Sequence, residues 1–134
     1  MISPERRSAL MGRIRSKDTA PELIVRRMLH ALGYRYVLHD KRLAGTPDLT
    51  FPSRRKALFV NGCFWHGHAC PRGFMPASNA AFWAAKIEAN RARDKRNVRA
   101  LRRKGWGVLT VWECAALPGR ADALRERLVG FLGA

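Results

Sequence analysis

Acidic residues are scarce in this chain of 134 residues, which has ten Asp and Glu against 26 Lys and Arg and a formal net charge of +16. So much positive charge on one domain repels itself, and a polyanionic partner relieves the repulsion. Because bound phosphates release counterions, nucleic acid is the first partner we expect, and an anionic membrane surface is the second. Apolar residues make up 47% of the chain, which fits a folded domain rather than a disordered tail.

Long apolar runs are absent as well. No stretch of about 18 apolar residues occurs, so the sequence predicts no transmembrane helix. Residues Met1–Arg7 lack the apolar stretch of a signal peptide, and we therefore expect a cytoplasmic protein. Repeats, linkers and low-complexity segments are also missing. The length is that of one domain, so we expect a single domain over residues 1–134.

Cysteine is rare and odd in number, with three residues in the chain, which argues against a disulfide framework in a reducing compartment. Cys63, His68, Cys70 and Cys114 instead offer four ligands for a closed, tetrahedral structural zinc site. His66 is an alternative fourth ligand in place of His68. The plain alternative is buried thiols beside surface histidines, but two cysteines and a histidine in one tight loop favour zinc.

Apolar periodicity and turn residues predict the element order α, β, β, β, α, β, α. The ranges are a helix from the capping box Thr19–Glu22 to Gly33, strands at 34–38, 48–51 and 57–61, a helix from Ser78 or Asn79 to about Lys104, a strand at 107–112 and a helix around 124–132. A helix between the third and fourth strands predicts that these two strands are parallel. Residues 1–18 are interpreted as a mobile basic arm.

Three residues are candidates for phosphodiester chemistry. Asp48, at the start of a strand, can hold Mg²⁺, which stabilises charge on a phosphate, although an aspartate after proline is often only a turn residue. His66 can accept a proton from an attacking water, or it is a spare loop histidine. Glu22 is fully explained by the capping box unless other support places it near the site.

The long predicted helix is strongly basic. Its cations are Lys86, Arg91, Arg93, Lys95, Arg96, Arg99, Arg102, Arg103 and Lys104. Only Glu88 and Asp94 oppose them on this helix, so phosphate contact is a better interpretation than a solvated face. Asn90, an amide among these cations, could reach a base edge. Phe64 and Trp65 could pack in the core or wedge between base pairs.

Taken together, these motifs resemble the very-short-patch-repair (Vsr) mismatch endonucleases, in order from about Ser8 to Cys114. The matching segments are 19–22, 45–48, 62–70, 82–83, 86–87, 90, 93–94 and 111–114. The resemblance implies a restriction-endonuclease-like core, a central mixed sheet flanked by helices, and the predicted α-β-β-β-α-β order agrees with it. It also implies a bacterial protein associated with the nucleoid.

The resemblance further implies a set of site residues. Asp48 would ligate a catalytic Mg²⁺ with the backbone carbonyl of Val60, and His66 would act on the attacking water, with Glu22 nearby in support. Zinc would be held by Cys63, His68, Cys70 and Cys114. The residues expected to contact DNA at a T·G mismatch are Met11, Phe64, Trp65, Lys86, Asn90 and Arg93.

The chain departs from the family at Asn61, where better-known members have a second active-site histidine, and at Val60, where they have threonine. Asparagine cannot replace histidine as an acid, so we expect a slower reaction or a water on Mg²⁺ in its place. The expected function is Mg²⁺-dependent nicking of one strand of mismatched DNA by a monomer, with other repair proteins as further partners. The alternatives are a catalytically silent zinc DNA-binding module and a nuclease for a different lesion.

Overall fold

The computed structural model describes residues 19–64, 66, 68 and 78–133. Within them the helices are α1 (Ala20–Ala31), α2 (Ala80–Arg103) and α3 (Ala121–Leu132), and the strands are β1 (Val37–Leu38), β2 (Leu49–Phe51), β3 (Lys56–Asn61) and β4 (Gly107–Trp112). Short 3₁₀ turns at Pro52–Arg54 and Glu113–Ala116 follow β2 and β4. The predicted arm, residues 1–18, lies outside the described residues.

The strands form one mixed sheet in the order β1-β2-β3-β4. The first three are an antiparallel meander, and β4 runs parallel to β3 after the crossover through α2. Both features confirm the prediction from the sequence. In the parallel pair, Val60 is opposite Val111 and Asn61 is opposite Trp112, so each of these rungs places its side chains on one face of the sheet.

The main core lies on one face of the sheet, between the strands and the helices α1 and α3. Its buried members are Val25, Leu29, Leu49, Phe51, Leu58, Val111, Ala116, Leu124, Leu128 and Leu132. Val60 and Leu109 pack against this cluster, whereas Asn61, Thr110 and Trp112 point to the opposite face and line a cleft with α2. This alternation follows from the two-residue period of a strand. The sheet therefore separates a structural face from a polar one.

The helix starts differ from the predictions in two details. Thr19 caps α1 as expected, accepting a hydrogen bond of 3.4 Å from the backbone N–H of Glu22. The Glu22 side chain, however, points into the protein instead of closing the capping box. Asn79 occupies the N-cap position of α2, but its side chain makes no capping hydrogen bond and its backbone is left-handed at φ 56°.

The first strand is shorter than predicted, because only Val37 and Leu38 of the expected 34–38 stretch pair with β2. Pro52 follows β2 directly and begins a 3₁₀ turn, so the ladder has no continuation opposite Tyr34 and Arg35. The rings of Tyr34 and Tyr36 pack edge-on against Phe51. Among the described helices, none has the length and apolar character needed to cross a membrane.

Candidate active site

Asp48 lies immediately before β2, and β3 holds its carboxylate in place. The backbone N–H of Val60 donates a hydrogen bond of 2.7 Å to Asp48 Oδ2. Burial raises the pKa of Asp48 to about 7. The carboxylate of Glu22 adds to this increase, whereas the hydrogen bond from the Val60 N–H opposes it. Two carboxylates thus share a partly buried position, and a divalent cation would stabilise their charged forms.

Glu22 reaches this position from the first turn of α1 and is only 2% exposed. Its carboxylate contacts His39, whose Nε2 lies 3.1 Å from Oε1 and 3.0 Å from Oε2. Arg26 donates a longer hydrogen bond of 3.3 Å to Oε2. Donor atoms of Glu22, His39 and Asp48 all lie within 4.8 Å of one another. The capping interpretation of Glu22 is therefore incomplete, because its side chain belongs to this cluster.

His66 lies beyond the end of β3, where its backbone N–H donates to the carbonyl of Gly62 at 3.3 Å. Its Nδ1 is in hydrogen-bond contact with Oδ2 of Asp94 on α2. Because a carboxylate on Nδ1 favours the tautomer with its proton there, Nε2 is left as a proton acceptor. The two side chains are 22% and 33% exposed, so water can reach the imidazole.

A cleft of about 440 Å³ opens between α2 and the polar face of the sheet. Its lining consists of Asn61, His66, His68, Arg91, Asp94, Lys95, Val98, Arg99, Arg102, Thr110 and Trp112. The four cations recur at three- and four-residue intervals and so lie on one side of the helix. Asn61 follows Val60 in the chain, which connects the cleft to the backbone that holds Asp48. The cleft therefore combines a candidate base with phosphate-binding charge.

The predicted zinc ligands come together in part. Donor atoms of Cys63, His68 and Cys114 lie within 4.8 Å of one another, and Cys114 Sγ is 3.6 Å from His68 Nδ1. The His68 ring stacks on Trp112 at a centroid distance of 4.3 Å, which orients its nitrogen. His66 contacts Asp94 instead of joining these donors, so the geometry favours His68 over His66 as the histidine ligand. Cys70 lies outside the described residues.

The predicted DNA contacts have different surroundings. Lys86 and Arg93 are on α2, with Arg93 exposed and Lys86 half-buried near the Phe82 ring. Asn90 is only 3% exposed, so its buried position does not favour the predicted contact with a base. Phe64 packs against Trp83 with ring centroids 5.4 Å apart. Met11 and Trp65 lie outside the described residues.

Two site residues, His39 and Asp94, were missed in the sequence. Asp94 carried a usable signal, because it is one of only two acidic residues among the cations of α2. His39 follows β1, and its backbone N–H donates to the carbonyl of Asp48 at 3.1 Å. A hairpin register worked out from the β1–β2 turn would have placed it opposite Asp48.

Comparison with known proteins agrees with this arrangement. The sequence profile of the family described as "DNA mismatch endonuclease Vsr" matches residues 1–72. The type II nicking enzyme V.XorIIP of Xanthomonas oryzae pv. oryzae is 58% identical over 131 residues, with 98% of this chain and 95% of that protein covered. The Neisseria meningitidis nicking enzyme V.NmeAIP is 42% identical, at 96% and 90% coverage. The Escherichia coli DNA mismatch endonuclease Vsr is 41% identical, at 91% and 80% coverage.

Proposed function

The chain belongs to the Vsr family of DNA mismatch endonucleases, and we propose that it nicks one strand of duplex DNA beside a T·G mismatch by Mg²⁺-dependent hydrolysis. The observation that carries the proposal is the His66–Asp94 pair, which lines a cleft together with Arg91, Lys95 and Arg99. A positioned base beside several phosphate-binding cations suits hydrolysis of a phosphodiester.

Asp48 is the proposed metal ligand, with the backbone carbonyl of Val60 as a second one. The residues present fit a divalent cation, because Asp48 and Glu22 bring two carboxylates together at a place where burial disfavours the charge of Asp48. Bound Mg²⁺ would supply positive charge at the scissile phosphate and a polarised water. The hydrogen bond from the Val60 N–H leaves the carboxylate in one orientation, which keeps its ligand atom in a fixed direction.

His66 is the proposed general base. The oxygen of a water bonds to phosphorus, its proton passes to His66 Nε2, and the bond from phosphorus to O3′ breaks. Asp94 holds the imidazole by Nδ1 and stabilises the charge that forms on it. Asn61 cannot donate a proton as an acid, so the departing O3′ takes its proton from solvent. The products are a 5′-phosphate and a 3′-hydroxyl.

The remaining assignments concern DNA binding and the zinc. Zinc held by Cys63, His68, Cys114 and Cys70 would keep the loop after β3 in place. Lys86 and Arg93 are proposed DNA contacts on α2, and Asn90 stays a prediction. Insertion of aromatic and apolar side chains beside the mismatch, which involves Met11, Phe64 and Trp65, also stays a prediction. We propose that the enzyme is a monomer. Its DNA substrate would place it with the nucleoid in the bacterial cytoplasm.

Both the named relatives and the geometry of the cleft argue against the rival hypothesis of a silent DNA-binding module. Relatives that align over almost the whole chain are named as nicking enzymes, and a binding module has no need of a histidine held by an aspartate. A nuclease for a different lesion would use the same catalytic residues. Only the choice of duplex separates that option from a T·G enzyme.

The test is cleavage of a labelled duplex with one T·G mismatch and of its matched twin, with and without Mg²⁺. We expect Mg²⁺-dependent nicking of the mismatched duplex, lost in Asp48→Asn while DNA binding persists. Asp122→Asn is the matched control, because that aspartate lies on α3 and its side chain is fully exposed. Binding without cleavage under any divalent metal would overturn the proposal, and equal nicking of both duplexes would overturn the mismatch preference.

A further inference from the structure

The cluster of Glu22, His39 and Asp48 contains an imidazole, which the sequence did not place near the metal site. His39 comes from the turn after β1, Glu22 from α1 and Asp48 from the start of β2. Their ligand atoms lie within 4.8 Å of one another, a spacing that permits all three to face one cation. Three protein donors on one side of a cation would fill half of an octahedral coordination sphere.

The backbone holds His39 firmly in this cluster. Its φ of 48° places a residue other than glycine in the left-handed region, which is uncommon and costs conformational energy. The hydrogen bond of 3.1 Å from its N–H to the Asp48 carbonyl ties it to β2. The same Nε2 that faces both oxygens of Glu22 would face a cation bound between the two carboxylates. His39 is thus aimed at the metal position.

The negative charges in the cluster also favour a bound cation. Two carboxylates meet there, and the guanidinium of Arg26 donates a hydrogen bond of 3.3 Å to Oε2 of Glu22. Carboxylates buried together need an opposite charge to be stable in their ionised forms. A divalent ion among the three side chains would supply that charge at the shortest distance.

We propose that Glu22 and His39 bind the catalytic cation directly together with Asp48, so that the metal site contains nitrogen as well as oxygen. The inference rests on the proposed function only for the role of Asp48 as a metal ligand. Mg²⁺ prefers oxygen ligands alone, whereas imidazole favours transition-metal ions. The site should therefore bind Mn²⁺ more tightly than Mg²⁺, and the imidazole should account for the difference.

The experiment uses zinc-loaded protein and Mn²⁺ as the probe. Electron paramagnetic resonance measures the bound fraction, and its pulsed form detects ¹⁴N coupled to bound Mn²⁺. We expect nitrogen coupling in the wild type and its loss in His39→Gln. The Kd for Mn²⁺ should rise at least about tenfold in this variant, because even the loss of an outer hydrogen-bonding partner of a metal ligand weakens metal binding by about 10- to 100-fold. Mg²⁺ affinity, measured by competition, should fall much less.

The choice of variants separates direct binding from positioning. Glutamine at position 39 can still donate a hydrogen bond to Glu22, so a merely positioning role would survive this change. His66→Gln should keep the nitrogen coupling, because His66 contacts Asp94 instead of this cluster. Far-UV circular dichroism checks that each variant is folded, and Glu22→Gln should weaken Mn²⁺ binding while retaining the coupling.

The outcomes also separate this inference from the proposed function. Mn²⁺ bound through Asp48 with no nitrogen coupling, or with coupling that persists in His39→Gln, would overturn the inference and leave the nuclease intact. Mn²⁺ binding unchanged in Asp48→Asn would overturn the metal assignment of the proposed function. Nitrogen coupling from His39 in a protein that cleaves no duplex would support the metal site and refute the nuclease.

Discussion

Replacing Asp48 with Asn should stabilise the protein at pH 8 in buffer without added divalent ions. The pKa of this carboxyl is raised from 3.8 to about 7, first by burial and then by Glu22. The folded state therefore binds the proton more tightly than the unfolded chain does. The stability that this group contributes is greatest below about pH 4 and is lost as the pH rises through about 7.

The magnitude follows from the same pKa values. At about 1.4 kcal/mol for each tenfold change in proton affinity, the raised pKa corresponds to a loss of about 4 kcal/mol at pH 8 and less than about 2 kcal/mol at pH 5. Asparagine is uncharged at both values, and its amide can accept from the Val60 N–H and donate to Glu22. We expect Asp48→Asn to gain about 2–4 kcal/mol at pH 8, or about 10 °C in Tm.

Urea denaturation of zinc-loaded protein, followed by tryptophan fluorescence at pH 5 and pH 8, measures this gain. The exposed control Asp122→Asn should change the free energy of unfolding by no more than about 0.5 kcal/mol. Added Mg²⁺ should stabilise the wild type at pH 8 and leave Asp48→Asn unchanged. A variant that is less stable at pH 8, or equally stabilised at both pH values, would refute the claim that burial opposes this charge.

Three further predictions concern the cleft and the proposed zinc site. Asp94→Asn should lower single-turnover nicking by about 10²–10⁴-fold with DNA affinity retained, since it misplaces the His66 proton; unchanged nicking would remove Asp94 from the mechanism. Cys114→Ser should reduce bound zinc, measured by metal analysis, and lower Tm, and full zinc content would contradict the site. Arg99→Gln should weaken DNA binding and reduce the salt slope by about one, whereas an unchanged slope would place DNA elsewhere.

Local sequence patterns predicted most of the fold correctly. The bounds of β4 and of the long basic helix were predicted almost to the residue. Glycine or turn residues mark the limits of the β-branched run that forms β4 and of the helical run that forms the helix. The parallel pairing of β3 and β4 followed from the helix between them. The predicted length of the first strand was wrong because its pairing depends on Pro52. This proline ends the partner strand and lies outside the segment from which the first strand was predicted.

The site was harder to predict because its key contacts are distant in sequence. His39 meets Glu22 across 17 positions, and His66 meets Asp94 across 28, so no local spacing records either pair. Glu22 was misleading for a different reason. The same residue satisfies a local helix-start pattern and a tertiary contact, and burial at 2% exposure favours the tertiary contact. Local propensity could identify the helix start but not the direction of the side chain.

The topology connects the proposed metal ligands to the proposed base. Asp48 is tied to Val60, and the next residue of β3, Asn61, lines the cleft that holds His66. The crossover helix α2 then supplies both Asp94 and the cations on the other wall. The end of β3 thus connects the carboxylate cluster at Asp48 to the cleft that contains His66 and the basic side chains of α2. Loss of an acid at Asn61 would slow departure of the leaving group without moving either part.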